Sequence, residues 1–404
     1  MSVTLAAVQR ARDVLGEVAL RTPMERCRAL EHIVGGKVLL KCENLQRAGS
    51  FKIRGAYTRI AGLSAQERAL GVVAASAGNH AQGVALAASM LDTAATVFMP
   101  HGATLPKERA TRSYGAQVHF CGTTIDEALQ QALKFAADTG AVLIHPFDHP
   151  DVVAGQGTLG LEMLEQVPQA ATIVVPCGGG GLLAGVAIVV KTLRPDVRVV
   201  GVQAEGAASY PASLAAGEPV PVRSMATMAD GIAVGRPGDV PFESVAELVD
   251  DLVTVSEEAL SQALLLLLER AKQVVEPGGA AGVAALLEHG SRDGLFPGPV
   301  VVVLSGGNVD PLLLIQVVRH GMAADGRYLS LTVQVPDRPG QLVRVLSLLA
   351  EAGANVLDVV HQRVSRNLNV DEVEIALQVE TRGGEHCSAV VSALRDAGYP
   401  ATVD

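Results

Sequence analysis

The sequence predicts an α/β protein with an open parallel sheet, followed by a smaller C-terminal domain. Over most of the chain, short apolar strands alternate with helical stretches, a pattern typical of parallel sheets. Three strands end in small polar residues and glycines, at 76–79, 178–181 and 305–308. In open α/β sheets ligands bind beyond the carboxyl ends of the strands, so these three clusters are expected to face one crevice. Beyond residue 320 the pattern changes, which indicates a second domain.

Apolar periodicity gives the elements of the first part in order. Helical spacing predicts a helix over 3–18, and an apolar helix over 84–90 follows the loop at 76–83. Ser256, which is followed by two glutamates, caps a helix that runs to about residue 272. Strands are predicted over 37–42, 71–75, 95–99, 117–121, 197–204 and 299–304, with a further strand leading from 171 into the glycines.

The composition indicates a protein that acts on small molecules. The 404 residues are 49% hydrophobic and carry a formal net charge of −10. A chain of this length can bury a sizeable core and predicts two or three domains. It lacks the basic stripe that a phosphate backbone requires, so no nucleic-acid partner is expected.

The cysteines and the N-terminal residues predict a cytoplasmic protein. The five cysteines are widely separated and include no C-x-x-C pair, so neither a disulfide framework nor a zinc site is expected. No apolar run approaches the roughly 18 residues that span a bilayer. The first 25 residues carry charges, among them Arg10, Asp13, Glu17 and Arg21, where a signal peptide would be apolar. We therefore expect no membrane contact.

Four consecutive glycines at 178–181 form the central motif. They follow an apolar strand and precede an apolar helix, so backbone N–H groups and the positive end of the helix can hold an anion such as phosphate. Gly179, Gly181 and Ala184 also fit the dinucleotide fingerprint, and Glu205 stands where a ribose-binding acid is expected. The motif alone therefore leaves open whether the phosphate belongs to a nucleotide.

Two other stretches carry candidate chemistry. Lys52 follows Phe51 at the predicted start of a helix, a setting that lowers the pKa of a lysine and favours the amine that forms Schiff bases, although a lysine beside a glycine is usually a solvated loop residue. Ser76 to Asn79 precede a helix and suit a carboxylate, although an N-cap serine and a turn asparagine are ordinary structural features. His80 and the other histidines lack metal-ligand spacing.

Four motifs, in this order, resemble the threonine dehydratase (threonine ammonia-lyase) branch of the fold type II pyridoxal phosphate (PLP) enzymes. They are SFKIRGA at 50–56, SAGNHAQG at 76–83, GGGGL at 178–182 and SGGN at 305–308. The resemblance implies a catalytic domain over 1–320, built as two open α/β subdomains with the cofactor between them. The smaller subdomain, about 47–145, would be inserted in the larger.

The resemblance also implies roles for individual residues. Lys52 would be the Schiff-base lysine, Phe51 would pack on the pyridine ring, Asn79 would bond the ring hydroxyl and Ser305 the pyridine nitrogen. A neutral Ser305 hydroxyl favours elimination over transamination. The phosphate would be held by Gly178, Gly179, Gly180, Gly181 and Leu182. The substrate would contact Ser76, Ala77, Gly78, Asn79 and His80.

The activity implied is elimination from L-threonine, and more weakly from L-serine, to 2-oxobutanoate or pyruvate and ammonia. A serine-preferring dehydratase or a racemase of the same fold is an alternative, but similar serine racemases carry a serine at the position of Ala77. A nicotinamide-dependent dehydrogenase and a non-catalytic amino-acid sensor are further alternatives. Glu205 aligns with a cation ligand of relatives, but Pro211 replaces the second acidic ligand, so no metal is expected.

The C-terminal part resembles an ACT domain. Residues 321–327 are short and small, as in a linker. After them, strands over 328–335, 354–364, 372–381 and from 399, with helices over 341–352 and 384–397, give the ferredoxin-like βαββαβ pattern over 328–404. The resemblance implies an amino-acid effector site formed between copies, with Asp337, Gly340, Gln341 and Asn355, and a homo-oligomer, dimer or tetramer. A dimerisation module without an effector is the alternative.

Overall fold

The computed structural model describes residues 3–292, 294–363, 369 and 371–403. The chain forms two compact units, Met1–Pro311 and Leu312–Asp404. No helix in the described ranges combines the length and the apolar character needed to cross a membrane.

The first unit contains strands and helices in alternation. Its strands are β1 (Met24–Arg26), β2 (Val38–Cys42), β3 (Val72–Ala75), β4 (Ala95–Met99), β5 (Gln117–Phe120), β6 (Val142–Leu143), β7 (Thr172–Pro176), β8 (Arg198–Ala204), β9 (Asp251–Val255) and β10 (Val300–Leu304). Its helices are α1 (Leu5–Leu15), α2 (Arg28–Val34), α3 (Lys52–Ala61), α4 (Ala65–Leu70), α5 (Asn79–Met90), α6 (Leu105–Ser113), α7 (Ile125–Thr139), α8 (Pro150–Gln166), α9 (Gly181–Leu193), α10 (Tyr210–Ala216), α11 (Asp239–Leu248), α12 (Glu257–Leu266) and α13 (Pro277–His289).

Two separate sheets organise this unit. The larger has the order β1-β2-β10-β7-β8-β9, and every pair in it is parallel except the antiparallel edge pair β1 and β2. The smaller has the order β5-β4-β3-β6 and is parallel throughout, as its βα connections require. Strands β7 and β10 are buried on both faces, which explains their unbroken apolar sequences.

Each sheet has its own core. Around the larger sheet, α8 and α9 pack closely with buried aliphatic side chains such as Leu159, Val186 and Ile173. Around the smaller sheet, α5 packs on β3 and β4, and α3 packs against α5, with Ile53, Val84 and neighbouring alanines buried between them. Segments that follow β3, β7 and β10 line one cavity together with Lys52, the first residue of α3, so the carboxyl ends of strands from both sheets lie near the start of that helix.

Helix α5 begins earlier than the sequence predicted. It starts at Asn79 rather than Val84, with Gly78 as its N-cap residue. The glycine and polar residues at 78–83 obscured the helical period, but Gln82 N already bonds Gly78 O. Asn79 and His80 thus lie in the first helical turn rather than in a loop.

The second unit begins at the second residue of α14 (Pro311–Ala324). The predicted linker over 321–327 is therefore wrong for its first four residues, because the apolar helical period continues through Gly321 and the alanines that follow. Next come β11 (Tyr328–Pro336), α15 (Gln341–Glu351), β12 (Asn355–Gln362), β13 (Glu372–Glu380), α16 (Gly384–Asp396) and β14 (Ala401–Val403).

These strands form an antiparallel sheet in the order β12-β13-β11-β14. One face carries alternate buried residues such as Leu331, Val333 and Ile375, which pack against Val345 and Leu394 of the helices. This is the predicted ferredoxin-like βαββαβ topology, so that prediction is confirmed. The predicted end of the second strand, Val364, lies outside the described residues.

Candidate active site

A cavity in the first unit brings together the residues that the sequence singled out for cofactor binding. Its lining includes Phe51, Lys52, Asn79, Gly178, Gly179, Gly180, Gly181, Leu182 and Ser305. These residues come from four separate stretches of the chain, so the fold alone makes them neighbours. The cavity also contains Phe147, Ile232 and Glu276, which the sequence did not identify.

Lys52 lies at the start of α3 with its amine in the cavity. The Nζ atom donates a hydrogen bond to the carbonyl oxygen of Pro146 at 3.0 Å and lies 5.1 Å from the centre of the Phe51 ring. Burial lowers the pKa of Lys52 to about 8, and the carboxylate of Glu276 opposes this shift. A much larger fraction of the nucleophilic neutral amine is therefore present near neutral pH than for an exposed lysine.

The glycine loop joins β7 to α9, and side chains would not fit in it. A Cβ atom on Gly179 would lie 2.4 Å from the ring of Phe147, and one on Gly180 would lie 1.8 Å from the hydroxyl of Tyr210. Gly180 also has a φ of +99°, in the region that favours glycine. The first N–H groups of α9 have no partner within the helix, so the loop and helix together form an anion site.

Two hydrogen bonds to one backbone carbonyl fix the position of the glycine loop. The hydroxyl of Tyr210 donates a hydrogen bond to the carbonyl oxygen of Gly179 at 3.3 Å, and the backbone N–H of Gly238 donates to the same oxygen at 3.0 Å. Tyr210 is fully buried, and burial raises its pKa well above the usual range. The phenol therefore stays a neutral donor that fixes the backbone of the loop.

Ser305 and Asn79 border the cavity on its other sides. Ser305 follows β10, is buried, and accepts a backbone hydrogen bond from Phe51 N at 3.1 Å. This bond ties the start of α3 to the end of β10. The side-chain oxygen of Asn79 accepts a bond from Asn308 at 2.8 Å, and its amide donates to Glu276 at 2.5 Å.

Glu276 is a buried carboxyl group that sequence inspection missed. Burial, together with the charge of Asp230, raises its pKa to about 7, and Lys107, Asn79 and Lys52 oppose the shift. The group is therefore largely protonated at mildly acidic pH, unlike an exposed glutamate. The residue precedes Pro277 at the start of α13, and no local pattern distinguishes it from an ordinary helix-start glutamate.

The predicted substrate loop is only partly in contact with the cavity. Asn79 lines it, whereas Ser76, Ala77 and Gly78 are half-buried residues immediately before α5. The Ser76 hydroxyl accepts a bond from Gly78 N at 3.1 Å. His80 is buried, with Nε2 2.7 Å from the carbonyl oxygen of Ile144, and burial, with the charge of Lys52, lowers its pKa to about 3. His80 is thus a neutral residue bonded to Ile144, which follows β6 of the smaller sheet.

The lining suits PLP. Lys52 offers the amine, the glycine loop offers an anion seat from which side chains are excluded, Phe51 offers an aromatic ring, and Ser305 offers a neutral hydroxyl. Glu205, the candidate ribose ligand, is exposed and does not border the cavity. In the described residues, no group of three or more His, Cys, Asp or Glu side chains could hold a metal ion.

Comparison with known proteins identifies the family. Residues 17–306 match the model of the "Pyridoxal-phosphate dependent enzyme" family, and residues 329–398 match the ACT domain. The chain is 46% identical to L-threonine ammonia-lyase of Thermotoga maritima over 98% of both chains. The chain belongs to the threonine ammonia-lyase branch of the PLP-dependent enzymes.

Solved structures agree with this family. The processed form of threonine deaminase isoform 2 from Solanum lycopersicum superimposes with a TM-score of 0.73 at 36% identity, covering 78% of this chain and 91% of that one. Maize serine racemase gives a TM-score of 0.75 at 35% identity, covering 80% and 99%. The predicted fold type II PLP architecture and the PLP cofactor are thus confirmed. The match of the glycine loop to a dinucleotide fingerprint was misleading, because the same backbone features serve any phosphate.

In this threonine ammonia-lyase family member, the predicted effector residues do not form one cluster within a single ACT unit. Asp337 and Gly340 lie in the turn between β11 and α15, and Gln341 accepts a bond from the hydroxyl of Tyr399 at 3.0 Å. Asn355 begins β12 opposite Glu380, which pairs with Tyr328 at the other end of β11. Strand β11 spans eight residue steps, or about 26 Å, so Asn355 near its start is far from the turn with Asp337 and Gly340 at its end.

Proposed function

We propose that the protein eliminates ammonia from L-threonine to give 2-oxobutanoate, and acts more weakly on L-serine to give pyruvate. The observation that carries this proposal is the position of Lys52. Its amine, with a pKa lowered to about 8, lies in one cavity with the glycine loop and the neutral hydroxyl of Ser305. The names of the similar proteins, L-threonine ammonia-lyase and threonine deaminase, support the choice of substrate.

The residues divide the work between binding and proton transfer. PLP, when bound, supplies an electron sink for the pair released from the substrate Cα. The Lys52 amine would remove the Cα proton, since general bases act best when their pKa lies near the working pH. The glycine loop would hold the phosphate, Asn79 would orient the ring hydroxyl, and Ser305 would bond the ring nitrogen without giving it a charge.

Ala77 supports elimination over racemisation. Racemisation requires an acid or base on the second face of the substrate Cα, and the methyl group of Ala77 can serve as neither. Serine racemases are among the similar structures, and we expect Ala77 to be a residue that separates the two activities within one fold.

We also propose that the ACT unit binds an amino-acid effector between two subunits and that the protein is a dimer or tetramer. The separation of Asn355 from Asp337 and Gly340 supports this arrangement, since a site using both regions needs a second copy. The five cysteines are free thiols, which supports a cytoplasmic location.

Initial-rate kinetics would test the proposal. Ammonia release is measured with L-threonine and with L-serine, each with and without L-isoleucine. The serine that remains after the reaction is separated into its D and L enantiomers. We expect a higher kcat/KM for threonine and no D-serine. Racemised serine, or tight binding of amino acids without ammonia release, would instead indicate a racemase or a sensor.

A further inference from the structure

A second lysine stands beside the predicted substrate loop. Lys107 belongs to α6, is 9% exposed, and donates from Nζ to Oδ2 of Asp230 at 2.5 Å. A Cβ atom built on Gly78 would lie 3.9 Å from the same Nζ. Gly78 closes the 76–78 segment that would receive the carboxylate of the substrate. The ammonium group of Lys107 therefore lies within reach of an anion held by that segment.

The stability of the fold does not explain why Lys107 is buried beside the predicted substrate loop. Lysine is rarely buried unless it is paired. Its partner Asp230 is an exposed carboxylate, with 58% of the side chain accessible, so water competes for this carboxylate and the ion pair contributes little to stability. An ammonium group has three donors, so Lys107 can bond Asp230 and a second oxygen at the same time.

Asp230 places this pair at the edge of the cavity. The two residues after it, Gly231 and Ile232, line the cavity. A Cβ atom on Gly231 would lie 3.1 Å from Oε1 of Glu276 and 4.0 Å from Nδ2 of Asn79. The Lys107–Asp230 pair therefore connects α6, on the side of the smaller sheet, to a segment that contacts the two buried polar residues of the site.

We propose that Lys107 is a substrate-positioning residue whose ammonium group binds the α-carboxylate of the amino acid, together with the backbone at 76–78. Asp230 holds the lysine side chain over this position. The inference rests on the proposed function, because it assigns the partner of the carboxylate in that same substrate. It makes Lys107 a determinant of affinity for amino acids over their carboxyl-modified analogues.

The test compares L-threonine with L-threoninamide, which lacks the carboxylate charge. Kinetics and equilibrium binding, followed by the visible absorbance of the PLP-loaded protein, are measured for the parent, Lys107→Met, Lys107→Arg and Arg109→Met. We expect Lys107→Met to raise KM and Kd for threonine by about 10-fold or more, the size of a lost charged hydrogen bond, with little change in kcat. For L-threoninamide, the KM and the Kd of Lys107→Met should differ from those of the parent by less than about 2-fold.

Two control variants complete the test. Lys107→Arg keeps the charge and should recover most of the affinity, and Arg109→Met removes a charge from an exposed position of the same helix and should match the parent. An equal loss for threonine and the amide, or no loss for either, would overturn the inference. If the parent binds threonine without releasing ammonia, the proposed activity fails, while the Kd values still decide the role of Lys107.

Discussion

The side-chain amide of Asn79 donates a hydrogen bond to Oε1 of Glu276 at 2.5 Å and so joins the first turn of α5 to the N-terminus of α13. The same asparagine accepts a bond from Asn308, which also donates to the carbonyl oxygen of Ala48. Asn79, Asn308 and Glu276, which lie in three separate segments of the chain, are thereby fixed around one amide. This amide is the group proposed to orient the cofactor ring, so its position depends on a carboxyl group that the local sequence does not reveal.

Glu276 should make the stability of the cofactor-free protein depend on pH. Its folded pKa of about 7 lies above the ordinary glutamate value of 4.5, so the folded state keeps a proton that the unfolded chain releases. The stabilisation is complete below about 4.5 and is lost as pH rises through about 7, by up to about 3 kcal/mol. Urea unfolding of Glu276→Gln between pH 5 and 8 should lack this decline, whereas the exposed-site variant Glu17→Gln should retain it. A decline that survives in Glu276→Gln would contradict the assignment.

Lys52 should set the pH dependence of cofactor uptake. Only the neutral amine attacks an aldehyde, and the neutral fraction rises through a pKa of about 8. The rate at which the cofactor-free protein gains visible absorbance after PLP is added should therefore rise with pH, with a midpoint near 8. A midpoint near the ordinary lysine value of 10.5 would show that burial does not act on this amine.

Gly180 should be essential to cofactor affinity. A Cβ atom there would overlap the Tyr210 hydroxyl, and the positive φ would add backbone strain. Gly180→Ala should weaken PLP binding by at least about 10-fold and lower the free energy of unfolding by roughly 1–3 kcal/mol. Equilibrium dialysis and urea unfolding measure the two effects.

Gly217 provides the matched control for Gly180. It has a φ of +77°, but a Cβ atom on it would meet nothing within 4 Å. Gly217→Ala should therefore cost about 1 kcal/mol through strain alone and leave PLP affinity unchanged. Equal PLP affinities in the two variants would show that the close packing at Gly180 is not needed for binding.

Arg54 should be a major source of stability behind the site. It is fully buried in α3 and bonds Glu43 at 2.8 Å and Glu162 at 2.7 Å. Arg54→Met leaves the buried carboxylate of Glu43 without its main partner and should destabilise the protein by about 3–5 kcal/mol. Arg12→Met, which breaks an exposed pair with Glu165, should cost no more than about 1 kcal/mol in the same urea titration. Similar losses for both would contradict this account.

The parts of the site that could be predicted are those encoded in short stretches of chain. The glycine loop and Ser305 each follow a buried strand, and Lys52 follows Phe51 at a helix start, so local patterns reveal them. Glu276, Phe147 and Tyr210 escaped prediction because their partners are distant in sequence: Glu276 meets Asn79 across 197 positions. Only the packing of the folded chain makes them part of the site.

The fold was predictable to a similar degree and for similar reasons. The alternation of apolar strands and helices predicted the parallel sheets, and the βαββαβ order of the elements beyond residue 327 predicted the ferredoxin-like sheet of the second unit. The division of the first unit into two sheets came only from the family resemblance, because strand order depends on non-local pairing. The start of α5 and the start of the linker were misjudged where glycines and alanines weaken the periodic signal.

The most direct test of the function is the release of ammonia and 2-oxobutanoate from L-threonine by the PLP-loaded protein and by Lys52→Ala. We expect the parent to show the visible absorbance of bound PLP and to release both products in equal amounts. The variant should lose the absorbance and at least about 1,000-fold of the rate, since no other group replaces the amine. A colourless parent after PLP is added, or a variant as active as the parent, would contradict the account.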